Sequence, residues 1–194
     1  NGVLFVPPDG IAQMKRDIAF YGEHFLLPDP KYYQIVSYGA LSSAKGTDLM
    51  TRLAPDVVVA DEAEAFRHPT SARTKRFRRY MDANPSTKLV AMSGTLLGTT
   101  IYDIAHIAGY ALKSSSPVPR SGSHLHAWAA VVDQDGLPNK DDWKTFQPVA
   151  DLFDLELRFG NGEQSREAFF RRFNSCPGVI STLQPSVGCN LEII

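Results

Sequence analysis

The stretch that most constrains this chain is Val57-Val58-Val59-Ala60-Asp61-Glu62-Ala63-Glu64. A short β-branched run ends abruptly in three carboxylates within four residues. Nothing polar interrupts the run, so it reads as a strand buried on both faces, the pattern of a parallel sheet. In open α/β sheets ligands sit beyond the carboxyl ends of the strands, which is where Asp61 and Glu62 fall. Carboxylates leaving a buried strand are costly unless a cation or solvent receives them. The stretch alone leaves two readings open: a solvated acidic turn, or a site that handles a cation.

The neighbouring segments repeat a rhythm. Val3 to Val6 reads as a strand stopped by Pro7-Pro8-Asp9-Gly10, because proline cannot donate to a sheet ladder. Ile11, Met14, Ile18 and Tyr21 recur at spacings of three and four, predicting a helix that ends near Gly22. Tyr33 to Tyr38 is a second strand, followed by a weakly helical stretch from about Ala40 to Leu53. After the acidic run, Thr70 or Ser71 caps a helix that carries Arg73, Lys75, Arg76, Arg78 and Arg79 and runs to about Met81. Lys88 to Met92 is a fourth strand, left by Ser93-Gly94-Thr95, and a helix spans about Thr100 to Leu112. Strands alternating with helices predict an α/β fold: a parallel sheet at 3–6, 33–37, 56–60 and 88–92 with helices on both faces. Asp61 and Ser93 are expected to approach each other at its carboxyl edge.

Beyond residue 112 a Ser-, Pro- and Gly-rich stretch to Ser123 reads as a loop. Helical patterns follow at Leu125 to Val132, Trp143 to Phe153 and Glu163 to Phe173, with a late strand expected at Gly178 to Thr182 and an apolar end at Leu191 to Ile194. The expectation is a first unit over residues 1–112 and a mostly helical extension over 113–194. Asp133-Gln134-Asp135-Gly136 lacks the spacing of a calcium loop and reads as a surface turn. His124 and His126 have no clear third ligand; His24, His68 and His106 have no partner visible in sequence. Arg166, Arg171 and Arg172 near Phe169 and Phe170 read as an amphipathic helix before a nucleic-acid contact.

The order of these segments resembles the first RecA-like domain of superfamily-two helicases and translocases, in particular the chromatin-remodeller-type branch in its compact bacterial and phage forms. Asp61-Glu62-Ala63-Glu64 is similar to the D-E-A-H box, with Glu64 in place of histidine. Phe5-Val6-Pro7-Pro8 with Gln13 to Ile18 is similar to the motif after the family's first strand, with Met14 and Asp17 where that motif has Trp and Glu. Val36-Ser37-Tyr38-Gly39 resembles its T-Y-G segment. Arg67 to Thr74 resembles its K-N-P-x-S-x-R-T run, and Ser93-Gly94-Thr95-Leu96-Leu97 its T-G-T-P-L segment without the proline. The match covers roughly residues 3 to 110.

The resemblance implies a DNA-dependent ATPase motor using ATP and Mg²⁺. Asp61 would orient Mg²⁺, usually through water, and Glu62 would activate the attacking water. Ser93, Gly94 and Thr95 would couple nucleotide state to the grip on nucleic acid. Pro8, Gln13, Tyr38, Gly39 and Arg67 would touch one phosphate backbone of double-stranded DNA. Arg73, on the basic helix, is a further phosphate-contact candidate.

The chain departs from the family in one respect: no G-x-x-x-x-G-K-[ST] phosphate loop occurs in it. The second RecA-like domain with its arginine finger is missing as well. The start at Asn1-Gly2, directly into a strand, reads as a cut end. The alternative is a non-catalytic RecA-like module that binds nucleic acid or protein and has lost its phosphate loop. A net charge of −1 leaves DNA binding to local patches. Two cysteines, Cys176 and Cys189, make no disulfide framework or zinc pair, no run is long enough to span a membrane, and a cytoplasmic setting is expected.

Overall fold

The computed structural model describes residues 1–94, 100–119, 121–157 and 162–181. Four strands, β1 (Gly2–Val6), β2 (Tyr33–Ser37), β3 (Val57–Ala60) and β4 (Lys88–Ala91), form one parallel sheet in the order β2-β1-β3-β4. The register places Phe5 opposite both Val36 and Ala60, and Ala60 opposite Ala91. The chain steps from β1 to β2 in one direction and from β3 to β4 in the other. Right-handed crossovers then put the connecting helices on opposite faces, and the order reverses between β1 and β3. That reversal is the topological switch point, where a crevice opens at the carboxyl edge.

The helices in the first half are α1 (Gly10–Gly22), α2 (Tyr38–Ser42), α3 (Leu49–Leu53), α4 (Ala72–Ala83) and α5 (Ile101–Leu112). The weakly helical stretch expected over 40–53 is two short helices separated by a 3-10 turn at Ala44–Gly46. Ser71 caps α4 by accepting from Thr74 N–H, and Thr100 caps α5 by accepting from Tyr102 N–H. Asp133 adds to the second cap: its carboxylate accepts from Ile101 N–H at 2.8 Å and from the Thr100 hydroxyl.

The faces of the sheet are unequal. Val3, Phe5, Val36, Val58, Ala60 and Leu89 point to one side and meet Tyr38, Leu41, Met50, Phe66, Phe77, Tyr80, Met81 and Ile107. Phe66 stacks on Phe77 with centroids 4.3 Å apart. On the other side lies α1, which touches β1 and β2 but buries none of its residues. Leu4, Ile35, Val57 and Val59 are half-buried there, and Val90 and Met92 are 47% and 42% exposed. The expectation that β3 is buried on both faces is therefore corrected. Val58 and Ala60 are fully covered, while Val57 and Val59 face the other side and are half-buried.

Basic residues of α4 hold the covering layer together. Arg76 donates to the carbonyls of Leu41 (2.6 Å) and Ser43 (2.5 Å), and Arg79 to that of Thr47 (2.6 Å). These carbonyls sit at and just beyond the end of α2, where helical carbonyls run out of intrahelical donors, and a guanidinium supplies donors to them; Ser43 C=O also accepts from Gly46 N–H.

Three further helices, α6 (Gly122–Val132), α7 (Lys140–Asp151) and α8 (Gly162–Asn174), build a second core. Ile101, Ile104 and Ala108 of α5 join Ala129, Val132, Phe146, Val149, Ala168 and Phe169 there, while Ile107 faces the first core. One helix thus serves both. The Ser- and Gly-rich stretch is helical three residues earlier than expected, because Ser121 accepts from His124 N–H and caps α6. The late strand is not formed at 178–181: Gly178 takes φ +94° and Val179 N–H turns back to Cys176. Thr182 and the apolar end at 191–194 lie outside the described residues. No helix among the described residues is long and apolar enough to cross a membrane.

His106 ties the acidic segment to α5, the helix shared by the two cores. One ring nitrogen lies 2.8 Å from the Phe66 carbonyl. Burial lowers its pKa below 6.5, with Arg78 adding to the effect and the bonds to Phe66 and Tyr102 and the charge of Asp103 opposing it. With the folded pKa depressed, the unfolded chain binds more protons once the pH drops below 6.5, and stability is lost in that window. Urea denaturation across that range will show falling stability, and His106→Gln will flatten the dependence.

Candidate active site at the carboxyl edge of the sheet

β3 ends in a pinned turn. Asp61 N–H donates to the Phe5 carbonyl at 2.9 Å, extending the ladder with β1 by one residue. Glu62 then takes the left-handed conformation, φ 54° and ψ 56°, which costs about 1–2 kcal/mol for a residue with a Cβ. Ala63 N–H donates to Met92 at 2.8 Å, and a 3-10 turn over Ala63–Phe66 drives Ala63 and Phe66 into the core. The backbone reversal explains how three carboxylates fit at the end of a buried strand. Ala63 is swallowed, Asp61 and Glu64 are half-buried, and Glu62 stands in solvent.

The carboxylates are not equivalent. Glu62 has its pKa raised, first by the hydrogen bond it shares with Glu64, then by the Glu64 charge, slight burial and the Asp61 charge. Burial pulls Glu64 upward, but the hydrogen bonds from Glu62 and Ser93, its own backbone N–H and the Arg67 charge together hold it below the usual range. Ser93, at the end of β4, donates its hydroxyl to Glu64. Asp61 and Ser93 follow the neighbouring strands β3 and β4 at the same edge, and Ser93 bonds Glu64 because the turn carries Glu64 back toward β4.

The remaining candidates distribute around this edge. Gly39 and Pro8 adjoin: a Cβ on Gly39 would lie 3.8 Å from Pro8 Cγ. Both are exposed, as is Arg67, whose Nε donates to His68 Nε2 at 3.2 Å. Arg73 is half-buried, and its charge acts on the Tyr38 hydroxyl. Gln13 is exposed on α1, but its side chain is bonded to Asp17 and Arg16. Gly94 is exposed with open space around it; Thr95 lies outside the described residues.

Tyr38 requires a correction. It is 2% exposed, with its ring stacked on Phe5 and edge-on to Phe66. Its side chain faces the core and is not available to a phosphate backbone, because α2 begins with that residue directly after β2 and buries it together with Leu41. The Glu64–Ser93 bond was also not visible in the residues, since it joins positions 29 apart.

Among the histidines, His126 Nδ1 lies 2.8 Å from the Tyr102 hydroxyl and His24 packs its ring against Phe20. Among the described residues, no three His, Cys, Asp or Glu side chains gather to hold a metal. Mg²⁺ is commonly held by one or two carboxylates together with water and substrate phosphates, and the half-buried Asp61 beside an exposed Glu62 fits that kind of contact. A cavity of about 260 Å³ lies between α3 and α4, lined by Thr47, Met50, Arg76, Arg79 and Tyr80, away from the acidic turn.

No protein-family model, curated protein or solved structure matches this chain.

The left-handed conformation of Glu62 yields a stability prediction. Glu62→Gly, which removes both the strained Cβ and the charge beside Glu64, will raise unfolding stability by about 1 kcal/mol. Glu62→Ala, which keeps the Cβ, will recover less. Paired urea melts measure the difference.

Proposed function

We propose that this chain is the first lobe of a nucleic-acid-dependent ATPase motor of the helicase and translocase type. The observation that carries the reading is the Asp61–Glu62 turn, held in a strained conformation at the switch point of a parallel sheet. Strain of this kind clusters at functional sites, where the surrounding structure over-determines it.

The residues divide the work by position. Asp61, half-buried at the strand end, is the group to hold Mg²⁺ through water, and the ion would neutralise charge on the transferred phosphoryl group. Glu62 reaches solvent and has a raised pKa, which makes it a better proton acceptor than an ordinary carboxylate. It takes the proton of the water that attacks the γ-phosphate. Glu64 joins that turn to Ser93, so a shift at the end of β4 reaches the carboxylates through one hydrogen bond. Pro8, Gly39, Arg67 and Arg73 lie around the same edge and suit contacts to a phosphate backbone, which position a duplex without reading its sequence. With the Tyr38 ring buried, Gly39 offers its backbone there.

The reading also requires a phosphate loop and a second-lobe arginine, and the 194 residues contain no G-x-x-x-x-G-K-[ST]. That absence favours a second reading, a RecA-like module that binds nucleic acid or protein without hydrolysis. By itself the chain will release phosphate from ATP at background rate. In a longer polypeptide that supplies the loop and the second lobe, duplex DNA will stimulate turnover. Glu62→Gln will then keep nucleotide binding and lower turnover by roughly 10²-fold or more, whereas Asp61→Asn will weaken Mg²⁺-dependent binding as well. Steady-state phosphate release with and without DNA, beside nucleotide binding, separates the readings: a Glu62→Gln protein that turns over like its parent favours the binding module.

A further inference from the structure

The Tyr38 hydroxyl donates to the main-chain carbonyl of Asp61 at 2.7 Å. That carbonyl belongs to the peptide between Asp61 and Glu62, whose plane helps set the left-handed φ of Glu62. The sheet offers it little: the β4 amide nearest in register, Met92 N–H, is already given to Ala60. A carbonyl at the end of a ladder that finds no donor is destabilising when buried, and one that finds a single donor is oriented by it. The donor here is itself immobile. Its ring stacks on Phe5 (5.6 Å, 22°) and meets Phe66 edge-on (5.0 Å, 81°), and it begins α2, which Ser37 caps.

We propose that Tyr38 is the positioning residue of the acidic turn: its hydroxyl fixes the Asp61–Glu62 peptide and so aims both carboxylates from beneath the site. The turn is then pinned at three points, by Phe5 on Asp61 N–H, by Tyr38 on Asp61 C=O and by Met92 on Ala63 N–H. The first and third are backbone bonds any sequence can make. Among the three, only the second depends on a side chain, and it comes from the first residue of α2, which follows directly on β2, the strand on the far side of β1 from the turn. The hydroxyl stays protonated over the working pH range, because burial first, then the charges of Asp61, Glu64 and Glu62, raise its pKa far above that of a free tyrosine. It remains a donor whatever the carboxylates do. As a role for the ATPase site, the proposal rests on the reading of Asp61 and Glu62 given above.

Tyr38→Phe in the full 194-residue chain tests it, since the ring packing is kept and one oxygen is lost. Amide hydrogen exchange and backbone ¹³C shifts are read by NMR. The expected result is exchange at Ala63 faster by about tenfold, the scale of one hydrogen bond, with a shift change at the Asp61 carbonyl. Protection at sheet amides such as Phe5 and Val58 will stay at the parent's level. Unchanged Ala63 exchange and an unchanged Asp61 carbonyl shift would overturn the proposal. A uniform loss of protection across the whole sheet would overturn it too, since that is the mark of a residue that only adds global stability. Tyr38→Leu, which removes the ring as well, is expected to lower global stability and so separates packing from positioning. Neither readout involves nucleotide, metal or DNA. If the turn loosens as expected while Glu62→Gln leaves phosphate release unchanged in the longer polypeptide, Tyr38 keeps its role in the turn and the ATPase reading falls. If the turn is indifferent to Tyr38→Phe, the ATPase reading stands and this inference falls.

Discussion

Everything at the carboxyl edge depends on three rings meeting beneath it. Phe5 from β1, Tyr38 from the start of α2 just after β2, and Phe66 from the turn after β3 have ring centroids 5.0–5.8 Å apart. One ring lies in β1 and the others in the segments that follow β2 and β3, so their contact sets how the three strand ends stand relative to each other. Such pairs contribute about 0.5–1.5 kcal/mol beyond the burial of their area. Their larger effect is geometric. Phe66 draws the chain after the carboxylates inward, and Tyr38 reaches back to the carbonyl between Asp61 and Glu62. Glu62 can hold an unfavourable conformation because the residues on both sides of it have nowhere else to go.

Much of the fold was legible in the sequence, for identifiable reasons. The four strands are apolar runs bounded by Pro7-Pro8, Gly39, Pro55 and Asn84-Pro85, and such punctuation marks strand ends reliably. Ser71 and Thr100 precede periodic apolar residues, and both cap the helices they introduce. What the sequence could not show is which face of a strand finds a partner. Val57 and Val58 are chemically identical, yet Val58 is fully covered and Val57 is not. Nor does composition separate a loop from a capped helix: Ser121-Gly122-Ser123 looks like loop, and one serine hydroxyl turns it into the start of α6.

The site was half legible. The acidic run announced itself because three carboxylates after a buried strand demand an explanation. The roles around it were less visible, since they rest on contacts between distant positions. Tyr38 beside Gly39 reads equally well as a surface ring or a buried one, and only the stacking on Phe5 decides. The arginines of α4 read from the sequence as a solvated basic face first, with phosphate contact the second reading and Arg73 its candidate. Two of them, Arg76 and Arg79, instead serve carbonyls at the ends of short helices, a need that cannot be seen before those helices are placed. Arg67 and Arg73 are the members of the basic segment that remain near the carboxylates, where their charges act on Glu64 and on Tyr38.

If the proposed function holds, the edge built by Asp61, Glu62 and Ser93 is the face that handles a divalent cation. Paramagnetic Mn²⁺, added at substoichiometric levels to the isotope-labelled chain, tests it residue by residue, because broadening falls off steeply with distance from the ion. The account predicts that the amide signals of Asp61, Glu62 and Ala63 broaden first, followed by Ser93, and that Mg²⁺ restores them. Broadening that begins instead at other exposed acidic segments, such as Asp141–Asp142 at the start of α7, or that spreads evenly over the surface carboxylates, would contradict it.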